Sequence, residues 1–309
     1  MQEKERGESI NMLRLKVLKQ LNGRRREEVR ELENLCCEHD NIRGGILLAG
    51  TEEDEKPKFF LCYEEEALAG FAVLYQMPDG MAEVCGYIHP DHRRRLMIKK
   101  MLTAVRREAE GGGAKELHYV CEPHPSGILR VLLQEGDCAY ICSEYLMEWK
   151  YSYLIQKTNA LEVRRIEEAD GETAALLLAG AFSMDEPSAE ERIVRLQQEG
   201  CRYYGAWQRN VPVGIFCLSE SEENVYVFDF AVDGDYRGRG IGEALLKELI
   251  RIVQEKGLSA AKEESSAPMK KIRIQVGSRN ENAFRLYQKN GFQVISQRDY
   301  YRVNAGTEE

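Results

Sequence analysis

Two short segments of the 309-residue sequence bring together residue types that can do chemistry. The first is Arg237, Gly238, Arg239, Gly240, Ile241 and Gly242, where a strand-like apolar run (225–232) gives way to a helical pattern (241–256). A helix N-terminus presents unpaired backbone N–H groups and the positive end of its dipole, and together these bind anions such as phosphate. Glycines at 240 and 242 keep Cβ atoms away from a close anion, and Arg237 and Arg239 can add charge-assisted hydrogen bonds. A glycine-rich helix cap that binds nothing would look the same from this segment alone. It is not a dinucleotide fingerprint, because position 245 is leucine where that motif needs another glycine.

The second segment runs from Asn280 to Phe292 and carries Ala283, Leu286, Tyr287 and Asn290 at helical spacing. Gly291 is placed to end that helix. From this segment alone Tyr287 reads as a core residue packed beside Leu286. Asp229, inside the apolar run, is a carboxylate that could take a proton from a reacting group. Strand alternation sets it on one face with Val227 and Ala231. A carboxylate that only orients a neighbouring loop is the equal alternative.

These groups need a scaffold, and the chain supplies it twice. In the first half the patterns predict a strand at 13–21 and a helix at 26–39 begun near Asn22. A hairpin of 59–63 and 68–76 and a strand at 82–88 follow. Next come a helix at 94–109 stopped by Gly111, Gly112 and Gly113, a strand at 117–121, a helix at 128–135 and strands from 139 to 151. In the second half they predict a strand at 162–166, helices at 172–181 and 189–198, and strands at 203–208, 213–218 and 225–232. A helix at 241–256, a strand at 271–276, a helix at 282–290 and a strand at 292–302 complete it. Arg93 aligns with Arg237, Arg95 with Arg239, and Met101 and Leu102 with Leu245 and Leu246, at an offset of 144 residues. Residues 126–136 align with 281–291 at an offset of 155, the difference being read as a polar loop insertion at 258–268. The tract 156–159 is the expected junction. Tyr300 and Tyr301, on the last strand, could line a pocket or pack as strand residues do.

Composition narrows the partners. Forty-three basic and 52 acidic residues give a net charge of −9, a poor platform for nucleic acid or an anionic membrane. Nine cysteines without paired CxxC motifs indicate buried thiols, and no metal site is expected. The charged N-terminus and the lack of any ~20-residue apolar run lead to the expectation of a soluble cytoplasmic protein. A homodimer is left open.

Taken in order, the run from Phe228 to Val232, then Arg-x-x-Gly-x-Gly and a helix, then a strand, then Asn-x-x-Ala-x-x-Leu-Tyr-x-Lys-x-Gly-Phe strongly resembles the GNAT superfamily of acyl-CoA N-acyltransferases over most of residues 160–303. The resemblance implies an α/β (α+β) fold of two tandem GNAT domains, each a mixed, mostly antiparallel twisted sheet flanked by helices. It implies a degenerate, non-catalytic domain at 1–155 and an acetyl-CoA-binding acetyltransferase domain at 160–309. Residues 237–242 would hold the pyrophosphate of the co-substrate. The backbone of Phe230, Ala231 and Val232 would pair with pantetheine where the strand splays from its neighbour, with the Val232 N–H at the oxyanion. Asn280 and Ala283 would complete the binding set. Tyr287 would protonate the departing thiolate, and Asp229 is the candidate base. The acceptor would be a primary amine of a small molecule or peptide; the alternative is a CoA-binding sensor without turnover. Gln275 stands where ribosomal-type N-terminal acetyltransferases carry glutamate, and Gly234 where a proline is usual. In the first half Leu96 and Ile98 replace the two glycines and Leu132 replaces Tyr287.

Overall fold

The computed structural model describes residues 13–41, 57–77, 80–93, 95–123, 127–134, 136, 138–150, 155, 161–263 and 270–303. The expected junction at 156–159, Arg94 and Ser126 lie outside them. Contacts divide the chain into two compact units: Met1–Glu144 with Ser296–Glu309, and Tyr145–Ile295. This differs from the division into 1–155 and 160–309, because each unit takes a strand segment from beyond the expected boundary. Periodicity marks a terminal strand but not the sheet it joins.

Unit 1 contains β1 (Leu13–Leu18), α1 (Gly23–Asp40), β2 (Lys58–Glu64), β3 (Ala67–Gln76) and β4 (Met81–Ile88). It continues with α2 (Arg95–Gly111), β5 (Glu116–Cys121), α3 (Gly127–Gln134) and the start of β6 (Cys138–Trp149). Asn22 caps α1 by accepting the Arg25 N–H, as its position suggested. Strands β1 to β4 pair antiparallel in sequence order and β4 pairs parallel to β5. The end of the chain's last strand then adds antiparallel to β5, Asp299 opposite Cys121 and Val303 opposite Leu117. Tyr300 and Tyr301 therefore serve this unit: Tyr301 meets Tyr140 edge-on at 5.6 Å, and the Tyr300 hydroxyl donates to Glu144.

Unit 2 repeats the plan with β7 (Glu162–Arg165), α4 (Gly171–Phe182), α5 (Glu186–Gln198), β8 (Arg202–Gln208), β9 (Val211–Glu220) and β10 (Asn224–Val232). Then follow α6 (Ile241–Glu263), β11 (Lys271–Gly277), α7 (Glu281–Lys289) and β12 (Phe292–Val303), whose last residues belong to unit 1. One core cluster lies under α6 and α7, the other under α4 and α5. Tyr145, Met147 and Trp149 of β6 complete the former. Helix α6 runs on into the segment expected to be a loop. Leu258, Ala260, Ala261, Lys262 and Glu263 are good helix formers, and polarity alone does not stop a helix.

The duplication extends to single hydrogen bonds. Arg93 Nε donates to the Ile88 carbonyl at 3.1 Å, and Arg237 Nε to the Val232 carbonyl at 3.1 Å, 144 residues on. The buried faces of α2 (Met97, Met101, Leu102, Val105, Ala109) and α6 (Ile241, Leu245, Leu246, Leu249, Val253) keep the same offset. All nine cysteines are free thiols.

Candidate active site

The site in unit 2 starts from a break in the sheet. Strands β10 and β11 pair in parallel from Asn224–Lys271 to Val227–Ile274 and no further, although β10 continues to Val232 and β11 to Gly277. The cause lies in β10 itself. Between Phe228, opposite Cys217, and Ala231, opposite Ile215, two residues face one on β9, which is a bulge. Asp229 absorbs it with φ +50°, a left-handed conformation uncommon outside glycine. Alternation is reset there. Val227 packs under α6 while Ala231 joins the cluster under α4 and α5, so the two do not share a face with Asp229 between them.

Beyond the bulge the backbone has a free side. The Asp233 N–H bonds the Val213 carbonyl on β9 at 3.0 Å, so by ladder alternation the N–H and C=O of Val232 point away from β9, into the parting with β11. The Val232 carbonyl accepts from Arg237 Nε, and its N–H faces the parting.

The loop that follows is built on glycines for two different reasons. Gly238 and Gly240 sit at φ +73° and +79°, and nothing lies within 4 Å of where a Cβ would stand. Here glycine serves backbone conformation and leaves space open above the start of α6. Gly242 has an ordinary φ, and its Cβ would crowd Leu286 Cδ2 at 3.3 Å. The demand at 242 is close packing of α6 on α7, not the approach of an anion. Ile241 is buried, so only its backbone faces the loop. Arg239 lies over the Tyr236 ring at 5.3 Å.

Tyr287 is 4 % exposed and is wedged between Phe230, edge-on at 5.9 Å, and Phe292 at 5.9 Å. Its hydroxyl makes no hydrogen bond among the described residues, yet it is not one of the sealed partnerless polar atoms. Burial raises its pKa, which keeps the proton on at neutral pH. Asn280 caps α7, its side chain accepting the Ala283 N–H at 3.1 Å, so these two residues fix the helix start through each other.

Asp229 is not available as a base in this arrangement. Its carboxylate receives Arg192 Nε and Nη2 on both oxygens (3.0 and 2.9 Å) and the Tyr203 hydroxyl at 2.5 Å, with 6 % of the side chain exposed. A carboxylate with both oxygens engaged by a bidentate guanidinium clamps the bulge instead. Burial and this hydrogen bond raise the Tyr203 pKa; for Arg192, burial acts downward and Asp229 outweighs it. Sequence reading missed Arg192 and Tyr203. Arg192 lies 37 positions from its partner on another element, and only the folded bulge joins them.

The corresponding region of unit 1 is closed. Helix α2 begins at Arg95, two residues earlier in the repeat frame than α6, so Leu96 is helical where Gly240 is loop. Ile98 and Leu132 are core residues. Arg93, the counterpart of Arg237, is bound bidentately to Asp40, which has 5 % side-chain exposure.

Among the described residues no three His, Cys, Asp or Glu side chains are placed to hold a metal ion, and no helix is long and apolar enough to cross a membrane. The profile of the Acetyltransferase (GNAT) family matches residues 26–126 and 172–292. The [ribosomal protein bS18]-alanine N-acetyltransferase of Escherichia coli K12 is 31 % identical over 84 residues, 27 % of this chain. The chain spans about half (49 %) of that relative's length. Among solved structures, a GCN5-related N-acetyltransferase from Sphaerobacter thermophilus superposes with TM-score 0.73 at 17 % identity, covering 96 % of this chain and 98 % of the other. A tandem GNAT protein from the clavulanic acid biosynthesis pathway superposes with TM-score 0.67 at 13 % identity, covering 96 % and 100 %.

Proposed function

Because the chain belongs to the Acetyltransferase (GNAT) family, we propose that unit 2 transfers an acetyl group from acetyl-CoA to a primary amine, and that unit 1 is a degenerate, non-catalytic copy. The observation that carries this reading is the parting of β10 from β11 beside a Tyr287 hydroxyl that makes no hydrogen bond among the described residues. Pantetheine takes the free side of β10 at 230–232. The pyrophosphate takes the N-terminal amides of α6 and the loop 237–242, where Gly238 and Gly240 leave room. The acceptor amine, once neutral, attacks the thioester carbonyl. The Val232 N–H receives the developing oxyanion. As the C–S bond breaks, sulfur takes the Tyr287 proton, and Tyr287 recovers a proton from solvent supplied by the new amide nitrogen. The Arg192–Asp229–Tyr203 clamp holds the bulge that aims these amides. Deprotonation of the amine is left to solvent, since Asp229 is engaged.

The acceptor is a small amine or peptide. The bacterial relative acts on ribosomal protein bS18, but Gln275, exposed on β11, cannot act as a base. Thiol release from acetyl-CoA, followed with polyamines, aminoglycosides and peptides as acceptors, tests the reading. Turnover abolished by Gly240→Leu supports it. Saturable CoA binding without turnover on any acceptor would leave a CoA-binding sensor.

A further inference from the structure

The two faces of the parting in unit 2 are not equally open to an acceptor. On the α6/α7 side the rings of Phe230, Tyr287 and Phe292 pack together, and Tyr287 is 4 % exposed. Ile272, Ile274 and Val276 of β11 are buried on that side too, so alternation sets Arg273 and Gln275 on the opposite face. Gln275 is exposed there. An acceptor therefore comes by this second face. On β10 it is the face to which the bulge turns Asp229, where Arg192 of α5 holds the carboxylate.

Arg192 offers more than the clamp uses. Its Nε and Nη2 take both oxygens of Asp229, at 3.0 and 2.9 Å, while Nη1 makes no hydrogen bond among the described residues. The guanidinium nitrogens buried without a partner belong to Arg106 and Arg202, not to Arg192. The Arg192 side chain is 34 % exposed, against 6 % for Asp229. Its Nη1 is thus a donor that reaches solvent. A guanidinium has five N–H bonds in a rigid fork, and the Nε–Nη2 edge spends only two of them on Asp229. Because Asp229 already fixes the plane of the fork, the outward Nη1–Nη2 edge loses little freedom when it binds. Asp229 precedes Phe230, the residue at which the free side of β10 begins.

We propose that the acceptor amine carries a carboxylate, as an amino acid or a peptide C-terminus does, and that this carboxylate binds the outward Nη1–Nη2 edge of Arg192. The inference rests on the acyl-transfer reading of unit 2 and names the acceptor class for it. A carboxylate meets two oriented, charge-assisted donors at this edge. A polyamine meets no free counter-charge there, since both oxygens of Asp229 are engaged. With its carboxylate anchored beside the bulge, the acceptor has its amine held near the thioester, which is the positioning that a bimolecular attack needs.

The test gives the full chain acetyl-CoA and matched acceptors that differ only in the carboxylate. The pairs are L-lysine and cadaverine, L-ornithine and putrescine, L-phenylalanine and phenethylamine, and a dipeptide and its C-terminal amide. In at least one pair the carboxylate member should show a kcat/KM at least ~10-fold higher. Arg192→Met should bring that ratio close to one. Loosening of the bulge in the variant raises the KM for acetyl-CoA for both members alike and leaves the ratio unchanged, so the ratio isolates the anchor. Should Arg192→Met fail to fold, Arg192→Lys carries the same comparison, because its single ammonium is spent on Asp229. Turnover with equal or better use of the decarboxylated amines, or a ratio that survives substitution of Arg192, overturns the proposal and leaves acyl transfer standing. Thiol release from no pair refutes the acyl-transfer reading instead. Calorimetry of the same pairs into the CoA-saturated chain then decides the carboxylate anchor by itself, and equal or absent binding overturns it.

Discussion

Replacing Tyr287 by phenylalanine separates chemistry from packing at one atom. The ring is held by Phe230 and Phe292, and both contacts survive the substitution. The hydroxyl makes no hydrogen bond among the described residues, so its loss leaves no orphaned partner. Stability should change by no more than ~0.5 kcal/mol, as for changes that touch no cavity, cap or buried network. The chemical step is different. A thiol of ordinary pKa ~8.5 expelled as thiolate at pH 7 lies about 2 kcal/mol above its protonated form, or ~30-fold in rate. Positioned proton donors contribute ~10²–10⁴-fold. The expected fall in kcat is therefore ~10²-fold, with the KM for acetyl-CoA nearly unchanged, because nothing that binds the co-substrate is removed. Steady-state thiol release and a melting curve on the same preparation measure both. Wild-type kcat in Tyr287→Phe would refute the general-acid role and make Tyr287 a packing residue.

Calorimetry with acetyl-CoA should give one site per chain, since Arg93 is held by Asp40 and α2 starts early in unit 1; Gly240→Leu, which forces a branched side chain to φ +79°, should abolish it, and a stoichiometry near two would refute this. Asp229→Ala should lower Tm, because Arg192 loses its partner, and weaken acetyl-CoA binding by loosening the bulge. The pH profile of kcat/KM should keep its shape in that variant and follow the ionisation of the acceptor amine; loss of an acid limb would restore Asp229 as the base. The stability contributed by the buried Cys36 and Cys121 thiols should be full below pH 9 and be lost progressively from pH 9 to 12, because burial pushes both up to about 12 from an ordinary 9.0. The unfolded chain then releases protons that the folded chain retains; a thermal-melt series flat to pH 11 would contradict this.

Local signals, with the resemblance they supported, fixed much of this protein. The two offsets of 144 and 155 residues reappear as matched elements, down to Arg93 and Arg237 on equivalent carbonyls. Helix starts and stops at Asn22, Gly113 and Gly291 were readable because capping chemistry is local to a few residues. Gly240, Tyr287 and Asn280 were visible for the same reason, being a loop glycine, a residue of one short helix and the cap of that helix.

What the sequence could not decide depended on which distant groups meet. Strand alternation was applied through Asp229, but a bulge resets it, and a non-glycine residue at φ +50° carries no local mark. Whether that carboxylate is a base or a clamp turned on Arg192 and Tyr203, brought to it by helix and strand packing. The final strand was recognised by its pattern, yet its last residues pair with β5 of unit 1, because any sheet edge offers the same backbone donors and acceptors. Composition and spacing thus determined the elements and the residue types available for chemistry. The tertiary structure alone decided their neighbours, and a charged side chain's neighbours set whether it is free to take a proton or engaged, like Asp229 in the grip of Arg192 and Tyr203.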